Sequence, residues 1–127
     1  MVEALFSQPD YLAAKKTLDA VALRQEAIAS NIANVETPGY KRLDLAPSFQ
    51  TALEQACSSR DGQQLTSLQA TLAPDPNAVP EGRDGNTVNL EQEMALMSQN
   101  TLIHSLETQL VSNSLMRLRM AISGKSA

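Results

Sequence analysis

The chain has 127 residues, a formal net charge of −4 and a pI near 4.9. It is 43% apolar but only 3% aromatic, so its burial rests on Leu, Ala, Val, Ile and Met, the stock of helix–helix seams. An acidic chain with no basic stripe argues against nucleic acid and anionic membranes as partners, a lone cysteine, Cys57, rules out a disulfide framework or a Cys-based metal site, and the length is one domain's worth or less.

In chain order, residues 1–20 carry Glu3, Asp10, Lys15, Lys16 and Asp19. No unbroken apolar stretch precedes a cleavage site, so a cleaved secretory signal is not expected. No run of about 18 apolar residues occurs, so no membrane insertion is expected either. Two readings follow: a cytoplasmic protein, or one that leaves the cell without cutting a signal peptide.

Residues 8–34 predict a long helix. Tyr11, Ala14, Leu18, Val21, Gln25, Ile28, Ile32 and Val35 step by three and four, a heptad seam with one polar member. Pro9 suits the first turn, and Asp10 complements the positive end of the helix dipole. At 1.5 Å per residue the helix is roughly 38 Å long. It ends in "ASNIANVETPGYKR", residues 29–42. Ala29 and Ala33 permit close helix approach, while Asn31 and Asn34 can bond carbonyls of the fraying end or a neighbour's side chains. Thr37 precedes proline and is pushed out of the helical region. Pro38 and Gly39 are the central pair of a type II turn. Tyr40 then projects from a fixed exit, followed by Lys41 and Arg42.

The middle, residues 41–83, predicts an irregular, partly mobile connection, since turn residues dominate and periodicity is weak. Within it, a short helix at 47–56 opening on Pro47 and a short strand at 68–73 are expected.

Residues 88–122 predict a second long helix. Leu90, Met94, Met97, Ile103, Leu106 and Leu110 form one apolar face, and Val111, Leu115, Leu118 and Ile122 form a stripe rotated by about 100°. Asn86 or Thr87 is the expected cap, Glu91 and Glu93 are read as dipole and solvation charges, Arg117, Arg119 and Lys125 favour the C-terminal end, and Gly124 stops the helix. The expected fold is therefore all-α: two long terminal helices forming an antiparallel coiled-coil-like hairpin. Residues 1–40 and 84–127 make a discontinuous helical domain, and 41–83 connect them. Two such helices give one seam and not a closed core, so burial is expected to finish against other subunits.

Catalytic constellations do not emerge. His104, the single histidine, reads as a helix-surface or seam residue, and Cys57 as an unremarkable small side chain. The "GKS" at 124–126 lacks the glycine that a phosphate loop needs five residues earlier, because position 119 is Arg. A calcium loop started at Asp75 would require glycine where Pro80 stands. No enzyme activity, metal or cofactor is expected.

Ser30 to Lys41 resembles the signature of the bacterial flagellar rod and hook proteins: S-N-(I/L)-A-N, two variable residues, then T-P-G-Y-(K/Q). Ser30, Asn31, Ile32, Ala33, Asn34, Thr37, Pro38, Gly39, Tyr40 and Lys41 meet it. "DGNTVNLEQEM", Asp84 to Met94, resembles the (D/E)-G-N-x-V-(D/N)-L-(D/E)-x-E entry to that family's last helix, in the form most like its small proximal rod subunits. The resemblance implies a structural subunit whose terminal helices pack axially into the wall of a tube that transmits torque. Implied partners are copies of itself, other rod proteins, the basal-body adaptor and membrane-ring proteins, and the flagellar type III export apparatus. The implied place is the basal-body rod in the cell envelope, reached without signal cleavage. Export in this family also involves a phenylalanine followed four residues later by an apolar residue, which Phe49 and Leu53 fit; residues up to Asp10 are a second candidate export segment. Tyr11, Leu18, Val21, Ile28 and Ile32 are expected to face Ile103, Leu106, Leu110 or neighbouring copies, and the signature residues are expected to be assembly contacts, with Asn31, Asn34 and Tyr40 making the specific ones at the subunit junction. The alternatives are another small rod subunit of the same family, or a cytoplasmic coiled-coil adaptor or chaperone.

Overall fold

A computed structural model describes residues 8–124. The candidate export segment before residue 8 and the C-terminal Lys125 lie outside the described residues. Helix α1 spans Pro9–Ala33, close to the expected range, with proline at its first position and Asp10 in its first turn. It stops at Asn34, whose φ of −109° leaves the helical region. Strand β1, Leu43–Leu45, follows the exit turn, then helix α2, Pro47–Ser59, helix α3, Gly62–Ser67, and strand β2, Leu72–Pro74. Helix α4, Leu90–Ser123, closes the described chain and ends on Gly124 at φ 64°.

Two expectations need correction. The fold is mostly helical but not all-α: β1 and β2 pair antiparallel, Leu43 opposite Pro74 and Leu45 opposite Leu72. The connecting segment also holds more defined elements than the one helix and one strand expected, although 75–83 contain neither helix nor strand. Pro47 does open α2, as expected. Asp61 caps α3 by accepting from the Gln63 and Gln64 amides. Phe49, Ala56 and Leu65 are buried in a small satellite core, and both α2 and α3 contact α1. The expected helix at 47–56 matches α2 and the expected strand at 68–73 overlaps β2 by two residues, whereas α3 and β1 are too short to show a period, and the strand pairing joins residues about thirty apart, outside any local window.

The N-cap of α4 is Asn89, whose Oδ1 accepts from the Gln92 amide at 2.9 Å. Asn86 and Thr87 lie before it, buried and engaged elsewhere. Arg117 and Arg119 fall before the last turn, which carries no basic residue.

The core runs along α1 through Ala14, Ala20, Val21, Ala27 and Ile28. Of the expected seam, Val21 and Ile28 are buried, whereas Tyr11, Leu18 and Ile103 are half-buried. Leu106 and Leu110 are each 55% exposed, so within one chain the seam stays open there. Leu106 is rotated about 60° from Ile103, and both leucines lie on the half of α4 where few residues are covered.

Candidate assembly site: two motifs interlocked

The end of α1 is built by side chains that replace lost helical partners. Asn34 Nδ2 donates to the Ser30 carbonyl at 2.8 Å, and its Oδ1 accepts from Thr37 Oγ1 at 3.1 Å. The Tyr40 amide donates to the Thr37 carbonyl at 3.2 Å, closing the turn around Pro38-Gly39. Gly39 has φ 73°, which a type II turn needs at that position and which a side chain would resist.

The second motif docks onto this turn. The Gly39 amide donates to the Asp84 carbonyl at 2.8 Å, and Gly85, at φ 76°, lies so close that an added Cβ would sit 3.8 Å from the Gly39 Cα. Asn86 Nδ2 reaches the carbonyls of Asn34, Val35 and Thr37 at 2.9, 3.0 and 2.8 Å. One buried side-chain amide thereby serves the orphan carbonyls at a helix end, and its Oδ1, the atom an N-cap would use, accepts from the Val88 amide at 2.8 Å instead. The Thr87 amide donates to the Tyr40 carbonyl, the Arg42 amide donates to Thr87 Oγ1, and Lys41 Nζ donates to the Gly85 carbonyl.

Asn31 makes the opposite connection. Its Nδ2 donates to the Leu43 carbonyl and its Oδ1 accepts from the Leu43 amide, both at 2.8 Å, so the side chain imitates a strand neighbour for β1. Asn31 has no exposed surface. Tyr40 folds back over it, its hydroxyl 3.0 Å from Ser30 Oγ and 3.4 Å from Asn31 Oδ1. The polar groups of Asn31 and Tyr40 thus meet partners within the chain.

Beneath the junction sits a buried charge cluster. Arg42 is 1% exposed; its Nε donates to Glu93 Oε1 at 2.6 Å, and its other nitrogens reach Asp75 and Asp44. Arg24 on α1 pairs with the same Asp44 at 2.9 Å. Burial works against the Arg42 charge, but the bonds and fields of Glu93, Asp75 and Asp44 outweigh it and hold its pKa above the ordinary arginine value. Glu93 is wholly buried, against the expectation of a solvated dipole charge, because it must meet Arg42. The sequence assigned Arg42 no role and gave Glu93 a different one. The available signal was motif position: Arg42 directly follows the first signature and Glu93 is the terminal glutamate of the second.

The remaining candidates are dispersed. Ala33, Thr37, Pro38, Gly39 and Lys41 are exposed at the turn, and Ser30 and Ile32 are half-buried. Phe49 is buried in α2 with Leu53 half-buried beside it. Cys57 and His104 are exposed and apart. Among the described residues no cluster could hold a metal ion, and no helix is long and apolar enough to cross a membrane.

Comparison with known proteins adds the following. Residues 12–41 match the family model described as "Flagella basal body rod protein". The chain is 32% identical to the flagellar basal body rod protein FlgB of Borrelia hermsii, over 76% of this chain and 83% of the relative. It is 30% identical to FlgB of Aeromonas hydrophila, over 80% and 83%, and 30% identical to FlgB of Escherichia coli K12, over 77% and 81%.

Proposed function

The chain belongs to the FlgB family of flagellar basal body rod proteins, and from that premise we propose how its geometry serves the rod. It is a structural subunit of the proximal rod, placed in the flagellar basal body among other rod and basal-body proteins. Its job is mechanical: to bury seams between subunits in a rigid shaft that carries torque.

The two terminal helices form an antiparallel hairpin. Supporting this, Asn86, just before α4, lies under the end of α1, whereas Asn100, further along α4, donates to the Val21 carbonyl and to Gln25 Oε1 near the middle of α1. Residues 1–40 and 84–127 act as one rod-core unit, and 41–83 ride on it through the Arg42 cluster. The observation that carries this reading is the docking of the two family motifs on each other at Gly39–Asp84 and Asn86. Such a junction sets the angle at which the chain leaves α1 and the depth at which α4 begins. The exposed turn, Ala33 and Thr37 to Gly39 with Lys41, and the open leucines, Leu106 and Leu110, are the surfaces offered to neighbours. Those neighbours are copies of the chain, other rod proteins, and the adaptor and membrane-ring proteins at the rod base. Delivery is by the flagellar type III export apparatus without signal cleavage, with Phe49 and Leu53 read before folding, since the fold buries Phe49.

Deleting the gene tests this: cells without the chain should build no complete rod and should not swim. Cells that still assemble rods and swim would reject it.

A further inference from the structure

Helix α4 turns a polar line inward and an apolar line outward. Glu93, Asn100 and Glu107 recur at intervals of seven, so at about 100° per residue they lie within about 40° of one another. Glu93 and Asn100 are buried, and Glu107 is half-buried. Asn100 donates its amide hydrogens to the Val21 carbonyl at 3.0 Å and to Gln25 Oε1 at 2.9 Å, while Glu93 meets Arg42. The fit is imperfect: Glu93 Oε2 and Asn100 Oδ1 have no hydrogen-bond partner, and burial raises the Glu107 carboxyl above its ordinary value. Leu96, Ile103, Leu106 and Leu110 form an apolar line centred about 75° round the helix from Asn100. A helix packed on a partner ordinarily turns such a line inward, yet Leu106 and Leu110 are exposed.

We propose that Glu93 and Asn100 are a rotational key. Their bonds hold α4 about 75° from the roll that apolar burial alone would choose, and so keep Leu106 and Leu110 out of the chain's own seam. A polar residue in an apolar seam fixes how two helices meet at some loss of stability. Asn100 carries the outer contact, reaching Gln25, the one polar member of the α1 heptad seam. Glu93 carries the inner one. The two act together, because an α-helix cannot absorb about 75° of twist between positions two turns apart. The alternative roll would move Glu107 toward water and set Leu110 against α1; the key prevents both.

The test removes both contacts from the full chain, as Arg42→Met, Glu93→Ala and Asn100→Ala. Arg42 is changed with Glu93 so that no charge is left buried alone. Hydroxyl-radical footprinting of purified protein, read residue by residue by mass spectrometry, reports side-chain exposure, and circular dichroism reports helix content. The expected result is reciprocal. Labelling at Leu106 and Leu110 falls to the level of half-buried Ile103 in the parent, while labelling at Met97 and Val111, half-buried on the other flank, rises. Unchanged labelling in a helical variant would overturn the key. So would a rise at all four positions or a loss of helix, because the contacts would then hold the fold and not its roll. A second variant leaves the key in place and exchanges two neighbours, Leu106→Glu with Glu107→Leu. It should raise the melting midpoint by about 4 °C or more, since leucine then takes the inward position; a lower midpoint would contradict the proposed roll. Purified chain suffices for both, so neither outcome depends on the rod reading.

Discussion

Replacing Arg42 with methionine should be among the most damaging changes in the chain. Glu93 is fully buried and Arg42 1% exposed, and Nε to Oε1 is 2.6 Å. Arg42→Met leaves the Glu93 carboxylate dry with neither oxygen bonded, since Oε2 already has no partner. Breaking a buried pair on one side costs about 3–5 kcal/mol. Asp44 and Asp75 add little, being about a fifth exposed, and Asp44 keeps Arg24. Glu93→Leu should cost less, about 1–3 kcal/mol, because Arg42 retains two carboxylates. The double variant Arg42→Met, Glu93→Leu exchanges the pair for apolar contact and should fall within about 2 kcal/mol of the parent. Urea denaturation of the purified chain, followed by far-ultraviolet circular dichroism, measures all three, and the cycle isolates a coupling of several kcal/mol. For a chain of this size 1 kcal/mol moves the melting midpoint by roughly 3–5 °C, so the single and double variants separate easily. An Arg42→Met cost below about 1 kcal/mol, or a double variant as unstable as the sum of the singles, would refute the reasoning.

Asn86→Ala removes one buried amide from three carbonyls and should cost about 2–3 kcal/mol, with hydrogen exchange accelerating at Gly39, Tyr40 and Thr87 while α2 keeps its protection. Burial raises the Glu107 carboxyl above the ordinary glutamate value. The folded state then binds the proton more tightly than the unfolded state, so this group's contribution declines as pH rises above about 4. Glu107→Gln should therefore stabilise the chain at neutral pH and make no difference near pH 3, which melting curves at the two pH values check. Leu106→Asp with Leu110→Asp should leave the stability of the isolated chain within about 0.5 kcal/mol of the parent, since both side chains face water there, yet abolish incorporation into rods; a tagged variant found in purified basal bodies at parental levels would contradict this.

The two long helices were legible because each repeats its apolar positions over many turns. Pro9, Pro47 and Gly124 marked ends correctly because each acts through its own backbone geometry. The Pro38-Gly39 turn was legible for the same reason. The little sheet was legible only in part: a strand was expected at 68–73 and β2 lies at Leu72–Pro74, but Leu43–Leu45 is three residues long and only its pairing across the chain makes it a strand. The junction was half legible. Its residues were singled out, but Asn31 and Asn86 look like any polar side chains until the carbonyls they serve are placed beside them. Glu93 was read as a solvated charge because a lone sequence places charges outside by default, and Arg42, the partner that reverses the default, lies 51 residues away and carried no role of its own.

The central claim is that this chain is built into the basal body as a structural part, and fractionation tests it most directly. Cells expressing a tagged chain are lysed, basal bodies are purified through their membrane rings, and the chain is followed by immunoblotting. The account predicts that the chain pellets with basal bodies and stays there after washing in high salt, because buried seams between subunits hold it. A chain recovered in the soluble fraction and absent from washed basal bodies, as an adaptor or chaperone would be, contradicts it.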